Sequence, residues 1–208
     1  MKNKSRKIAS HRPKTRGVKG TRKSNRRVFT RKHYTSGDGM MTSVWGPSMW
    51  HYLHTMSFNY PVTPTHIEKK HYMNFVKSLR HTLPCKHCRI NLVTNFKQLP
   101  FTMECMQSRD TFSRYIYNLH ELVNKMLNKK SGLSYCDVRE RYEHFRARCV
   151  EDKPKIFKVP HNKTKKKEKG CTEPLYGKKS KCVIKIVPVN EKTKSFQMDK
   201  KCLKVRPE

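Results

Sequence analysis

Acidic side chains are scarce in this chain. Its 208 residues carry 15 Asp and Glu against 48 Lys and Arg, a formal charge of +33. An imbalance of that size points to polyanions as partners. Apolar residues are also few, at 35%, against the roughly 45–50% of a globular chain in a tally that includes glycine. That excludes one core spanning the whole length. No stretch approaches the ~20 apolar residues that a membrane-spanning helix requires. Residues 1–30 hold no apolar run of the kind a secretory signal needs. Their basic, acid-poor character has some likeness to a mitochondrial transit peptide, but apolar periodicity is missing, so that reading is less favoured. No internal repeat is present.

What remains is unevenly placed. Residues 1–43 carry net +13, residues 44–149 net +9 and residues 150–208 net +11. The apolar residues concentrate in the middle. Three parts are expected: a basic disordered N-terminal arm over 1–43, a compact unit over 44–149, and a basic Cys-containing tail over 150–208. About 105 residues suffice for an independent fold. The flanks cannot bury enough apolar surface to offset the entropy of ordering. They suit non-specific contact with nucleic acid or another polyanion. Within the tail, Cys182 to Val189 alternates as a short strand would.

The central unit reads as helices. Ser43 is expected to cap a helix at Val44, where Trp45, Met49, Tyr52, Leu53 and Met56 recur at spacings of three and four. Asn59-Tyr60-Pro61 ends it. A second helix follows Thr63-Pro64-Thr65, with Ile67, Tyr72, Phe75, Val76 and Leu79 on its apolar side. A third begins at Cys85 or Lys86 and carries Ile90, Leu92, Val93 and Phe96. The longest opens at Ser108-Arg109-Asp110, with Phe112, Tyr115, Ile116, Leu119, Leu122, Val123, Met126 and Leu127 inward, and stops at Ser131-Gly132. A last one follows Ser134. The pattern predicts an all-α unit: a four-helix bundle with a fifth short helix.

Three local patterns carry chemistry. Cys85-Lys86-His87-Cys88 sets two cysteines on the first turn of a helix, where the helix N-terminus and neighbouring cations favour a thiolate. Redox exchange is one reading, half of a zinc site another, and plain structural cysteines a third. Trp50 and His54, with Trp45 and Gly46 ahead of them, share a helix; the pair at i, i+4 shares a face. That stripe is either core or a wall for a planar ligand. His120, Asn124 and Asn128 make a polar edge on an otherwise apolar helix, with Lys129 and Lys130 at its end. The three together suggest a cofactor pocket with cations for a phosphate.

Taken in order, W-G-P-x-x-W-x-x-L-H, C-x-x-C, H-x-x-V-N-x-x-L-x-K, a cysteine and R-E-R-Y resemble the Erv/ALR family of FAD-linked sulfhydryl oxidases. The resemblance spans roughly residues 44–146 and is nearest to members from large cytoplasmic DNA viruses. It implies a helical bundle around FAD, as a homodimer, that oxidises protein thiols (thioredoxin-like or viral structural proteins) and reduces O₂ to hydrogen peroxide. By position, Cys88 is the flavin-proximal cysteine that attacks the isoalloxazine, and Cys85 the partner that exchanges with the incoming thiol. Trp45, Gly46, Trp50 and His54 line the flavin. His120, Val123, Asn124 and Lys129 meet its adenine and phosphate side, and Tyr142 stands where the family often has Trp. No metal is implied. Such an enzyme would reside in host cytoplasm or a virion rather than the mitochondrial intermembrane space.

Three departures from the pattern accompany the resemblance. Glu121 replaces an Asn after His120. Tyr117 occupies the place of a cysteine whose usual disulfide partner corresponds to Cys136, leaving Cys136 free or paired with Cys149 or Cys105. The loop before Cys136 is about two residues longer. Cys171, Cys182 and Cys202 are candidates, by location, for an electron shuttle. The rival reading is a basic nucleic-acid- or virion-binding protein that uses the bundle as a scaffold, with zinc at C-x-x-C.

Overall fold

The computed structural model describes residues 30–150, 170–179, 181–183, 185–188, 190–191 and 197–203. Two compact units, ending and beginning at Ser36 and Gly37, are taken separately. The first contributes α1, Arg31–Thr35, capped by Thr30, whose hydroxyl accepts the His33 N–H while the His33 ring accepts the Thr30 N–H.

The second unit is a helical bundle. Its helices are α2 (Thr42–Phe58), α3 (His66–Thr82), α4 (Lys86–Gln98), α5 (Arg109–Met126) and the short α6 (Tyr135–Glu143), with a 3₁₀ turn over Met103–Met106. Local chemistry explains most boundaries. Thr65, Ser108 and Ser134 each accept the N–H three residues on, and Glu68, Thr111 and Asp137 return the bond. These are capping boxes, each contributing on the order of 1 kcal/mol. α2 starts two residues earlier than expected: Met41, not Ser43, stands at its N-cap, without a side-chain bond.

α5 also stops earlier than Ser131-Gly132. Asn128 adopts φ 54°. The Lys129 N–H then reaches Asn124 O (2.8 Å) and the Asn128 N–H reaches Lys125 O (3.1 Å). That pair of bonds is a Schellman closure, with Asn in the left-handed position that more often holds glycine. Met126 and Leu127 consequently lie at and beyond the end of the helix and are exposed, not inward.

The core lies between α2, α3, α4 and α5. Tyr60, Phe112, Ile116 and Met106 are fully buried, with Leu53, Met73, Val76, Leu79, Leu92, Phe101, Tyr115 and Leu119 around them. Each such side chain stabilises the fold by roughly 1.5–3 kcal/mol relative to exposure. The buried Tyr60 and Tyr115 hydroxyls donate to Met106 O and Leu99 O, both at 3.0 Å, which removes the cost of an unpaired polar atom. Ile67, Tyr52, Ile90 and Val93, expected on apolar faces, are exposed.

α6 packs across α2 and α5 through a second cluster of Phe58, Tyr135 and Val138. After it, Ala147–Val150 (β1) pairs antiparallel with Gly170–Pro174 (β2). This ladder adds a small two-stranded piece to the all-α unit, where the sequence showed no convincing strand. Of the segment 182–189, residues 182, 183 and 185–188 are described and irregular; Ile184 and Val189 lie outside the described residues. Arg146 ties the ladder to the bundle: its guanidinium donates to Phe58 O (2.7 Å) and pairs with Glu143, while Arg146 O accepts the Leu175 N–H.

Candidate active site: a capping disulfide and a buried aromatic cluster

Pro84 ends the approach to α4, and Cys85 takes the N-cap with extended backbone (φ −158°, ψ 119°). Its Sγ accepts the Cys88 N–H at 3.1 Å. A helix N-terminus leaves such N–H groups without intrahelical partners, so the sulfur fills a capping role that Ser or Asp usually fills. Cys85 and Cys88 are joined as a disulfide with Cα atoms 5.2 Å apart. Both are half-buried, beside the exposed Lys86 and His87. The Arg89 guanidinium folds back to Leu83 O. Joined sulfurs are the arrangement of the redox reading, not of the zinc one. Among the described residues, no three His, Cys, Asp or Glu gather as a metal would require.

The second feature is a buried ring cluster. His120 stacks on Trp50 with centroids 4.0 Å apart and planes 6° from parallel. His120 Nδ1 and His54 Nε2 share a hydrogen bond of 2.9 Å. Tyr142 lies 5.2 Å from His54 and stacks on Phe58 at 5.5 Å. Burial lowers the His54 pKa to about 3, helped by the nearby His120 and His51. Burial likewise lowers His120 to about 4; Glu121 opposes the shift and the Lys129 charge adds to it. Both rings are therefore neutral at pH 7. Tyr142 is pushed up to about 12 by burial, with Arg141 pulling the other way. One atom is left over: His54 Nδ1 is buried and has no hydrogen-bond partner. In a native protein such an atom calls for a ligand or a water.

Trp50, His54, His120 and Tyr142 are thus brought together from α2, α5 and α6. Other expected site residues are engaged elsewhere. The Trp45 indole donates to Met40 O at 3.0 Å. Asn124 gives its amide to the Glu121 carboxylate at 3.0 Å. The Lys129 backbone closes α5, and Gly46 has nothing within 4 Å of where a Cβ would sit. Val123 is half-buried on α5.

Sequence reasoning missed His51 and Phe58. His51 Nδ1 meets Tyr142 Oη at 3.2 Å, and burial lowers its pKa. The signal was available for Phe58, which lies four residues after His54 on the same stripe. It missed Gly39 entirely; Gly39 forms an isolated antiparallel bridge with Cys85.

The remaining cysteines sort partly. Cys105, Cys136, Cys182 and Cys202 are free thiols, and Cys171 is disulfide-bonded. Tyr117, at the place where the family has a cysteine, donates its hydroxyl to Leu133 O (2.8 Å) and sits edge-on to Tyr135. A hydrogen-bonded aromatic contact therefore joins α5 to the loop before α6.

A helical bundle that presents a C-x-x-C disulfide at a helix N-terminus and gathers a neutral ring cluster from α2, α5 and α6 defines a thiol–disulfide redox module. The chain belongs to the Erv1 / Alr family, which matches over residues 47–155. It is 34% identical over 104 residues to a probable FAD-linked sulfhydryl oxidase of Acanthamoeba polyphaga mimivirus, covering 50% of this chain and 72% of that protein. It is 28% identical over 107 residues to the FAD-linked sulfhydryl oxidase of African swine fever virus (isolate Tick/Malawi/Lil 20-1/1983), covering 51% and 87%. The crystal structure of the yeast Erv1 core aligns at TM-score 0.45 and 22% identity, covering 59% of this chain and 96% of that one.

Proposed function

We propose that this protein is a FAD-linked sulfhydryl oxidase and that Cys85 and Cys88 are its redox pair. The observation that carries the assignment is the disulfide seated on the α4 N-terminus, with Cys88 N–H aimed at Cys85 Sγ. The step begins with a thiolate of the protein substrate attacking Cys85 Sγ. A new S–S bond forms, the Cys85–Cys88 bond breaks, and Cys88 leaves as a thiolate. The substrate's second thiolate then attacks its own sulfur in the mixed disulfide, and Cys85 leaves as a thiolate. The substrate gains a disulfide, the pair gains two electrons, and the two substrate protons pass to solvent. The Cys88 N–H stabilises Cys85 as it leaves, and the charge of Lys86 favours both thiolates.

The ring cluster fits FAD. The orphaned His54 Nδ1 offers a buried hydrogen-bonding atom, Trp50 and His120 offer flat faces, and Lys129 and Lys130 follow α5 as exposed cations suited to a phosphate. Trp50, His54, His120 and Tyr142 would hold the cofactor, with Trp45, Gly46, Val123, Asn124 and Lys129 at its margins. Bound there, FAD would supply the two-electron acceptor for the reduced cysteines and the reactivity toward O₂ that yields hydrogen peroxide. The chain's own residues hold the imidazoles neutral by burying them.

The homodimer reading is supported by the exposed Tyr52 and Phe75, which meet edge to face across α2 and α3. The basic flanks suit a polyanion, and affinity for nucleic acid should fall steeply with salt. No helix among the described residues is long and apolar enough to cross a membrane. The viral relatives favour host cytoplasm or virion as the location. The test is the absorption spectrum of the purified protein with O₂ uptake under a dithiol. A flavin band and dithiol-dependent uptake are expected. A colourless protein after supply of FAD, with no uptake, contradicts the reading.

A further inference from the structure

Asp38, Gly39 and Met40 precede every motif in the chain, yet they lie against the redox pair. The Met40 N–H donates to Pro84 O at 2.7 Å, and the Lys86 N–H donates to Asp38 O at 3.2 Å. The contact accepts only glycine at its centre. Gly39 has φ +115°, and a Cβ there would stand 2.5 Å from Pro84 O and 2.7 Å from Cys85 Cα. Both the backbone angle and the close approach forbid a side chain. The segment is also latched from behind by the Trp45 indole on Met40 O. Cys85 is thus gripped by backbone from two directions. On the helix side, its carbonyl accepts the Arg89 N–H at 3.1 Å. On the other side, the bridge pins the residues that flank it.

We infer that Asp38–Met40 is a strap that positions Cys85 for thiol–disulfide exchange, with Gly39 and Trp45 as its positioning residues. This rests on the reading of Cys85–Cys88 as the redox pair. The reason is what happens once the pair is reduced. The covalent tie between the sulfurs is gone, and Cys85 sits at a helix end, where the last residues fray. Its Sγ keeps the Cys88 N–H only while the Cys85 backbone stays extended. The strap holds that backbone by hydrogen bonds that do not depend on the disulfide. It therefore stabilises the reduced, thiolate form and makes the disulfide a stronger oxidant. No electrons pass through the strap; it acts on the exchange only by holding the Cys85 backbone.

The test uses the full chain with Trp45 unaltered. Gly39→Ala inserts the forbidden Cβ. Met40→Pro removes the donor to Pro84 O and sets its ring against that carbonyl, breaking the bridge without altering any side chain at the redox pair. Each is equilibrated with reduced and oxidised glutathione and the Cys85–Cys88 pair read by mass spectrometry. The equilibrium should shift about three- to tenfold toward the disulfide. Iodoacetamide alkylation of the reduced pair should move to higher pH, while flavin content stays at the wild-type level. Wild-type equilibrium and alkylation profiles in a folded variant overturn the strap. If neither variant folds, amide exchange in the wild type decides: the Lys86 N–H must remain protected after reduction, and its loss of protection overturns the proposal. The redox poise is read without flavin. A wild-type protein that binds no FAD and takes up no O₂ would thus fail the oxidase reading while leaving the strap separately measurable.

Discussion

The two halves of the site are built in opposite ways. At the α4 N-terminus the Cys85 and Cys88 sulfurs are half-buried, flanked by cations, and held chiefly by backbone hydrogen bonds. Between α2, α5 and α6 the rings of Trp50, His54, His120 and Tyr142 pack on one another, Trp50 and His120 face to face and the others tilted, with both imidazoles neutral and His54 buried. The difference follows from the chemistry. A disulfide that exchanges with a protein thiol must be reachable, so side-chain packing cannot hold it and the main chain does. On the proposed reading, a planar cofactor at the rings would be held by stacking, and a protonated imidazole beside it would be costly.

Four changes sharpen that contrast. The largest effect belongs to the exchange end. Cys88→Ser should abolish dithiol-driven O₂ uptake, at least 10³-fold, while FAD remains bound, checked by an oxygen electrode and the visible spectrum. Unchanged turnover would remove Cys88 from the pair. The reverse pattern is expected at the other end. His120→Ala removes the ring stacked on Trp50 and the partner of His54. It should cost about 2–4 kcal/mol in urea unfolding and release flavin, while leaving the Cys85–Cys88 pair able to exchange with glutathione.

A pH series separates the two ends again. The folded pKa values of His54 and His120, about 3 and about 4, lie below the unfolded value of 6.5. The unfolded chain therefore binds more protons between those limits, and stability falls as pH drops from about 6.5 toward 4. Each ring contributes up to about 1.4 kcal/mol per pH unit in that window. Thermal unfolding from pH 7 to pH 4.5 should show the decline. A flat profile would mean that the rings are not buried as described. The smallest effect is Tyr117→Phe, which deletes the hydroxyl on Leu133 O and should cost about 1 kcal/mol with oxidase activity retained, read by urea unfolding.

Much of the bundle was legible because its signals are local. Thr65, Ser108 and Ser134 cap helices where sequence placed them, and the stripe Phe112, Tyr115, Ile116, Leu119 is buried as its spacing requires. The end of α5 was misplaced because Asn128 supplies the left-handed turn before Gly132 is reached. The β1–β2 ladder was missed because its strands are four and five residues long and paired across a basic stretch. At the site, the C-x-x-C motif and the Trp50, His54, His120 set were readable from residue type and helical spacing. The bond from Tyr117 to Leu133 and the bridge from Gly39 to Cys85 were not. Both join segments through backbone atoms, which carry no residue-specific signature.

The most direct test is an anaerobic dithiothreitol titration followed near ~450 nm, run on wild type and Cys88→Ser. The account predicts a flavin band in both. In the wild type dithiol should bleach it and air restore it; in the variant it should stay oxidised. Bleaching of the variant at the wild-type rate would contradict the claim that electrons reach the cofactor through Cys85 and Cys88.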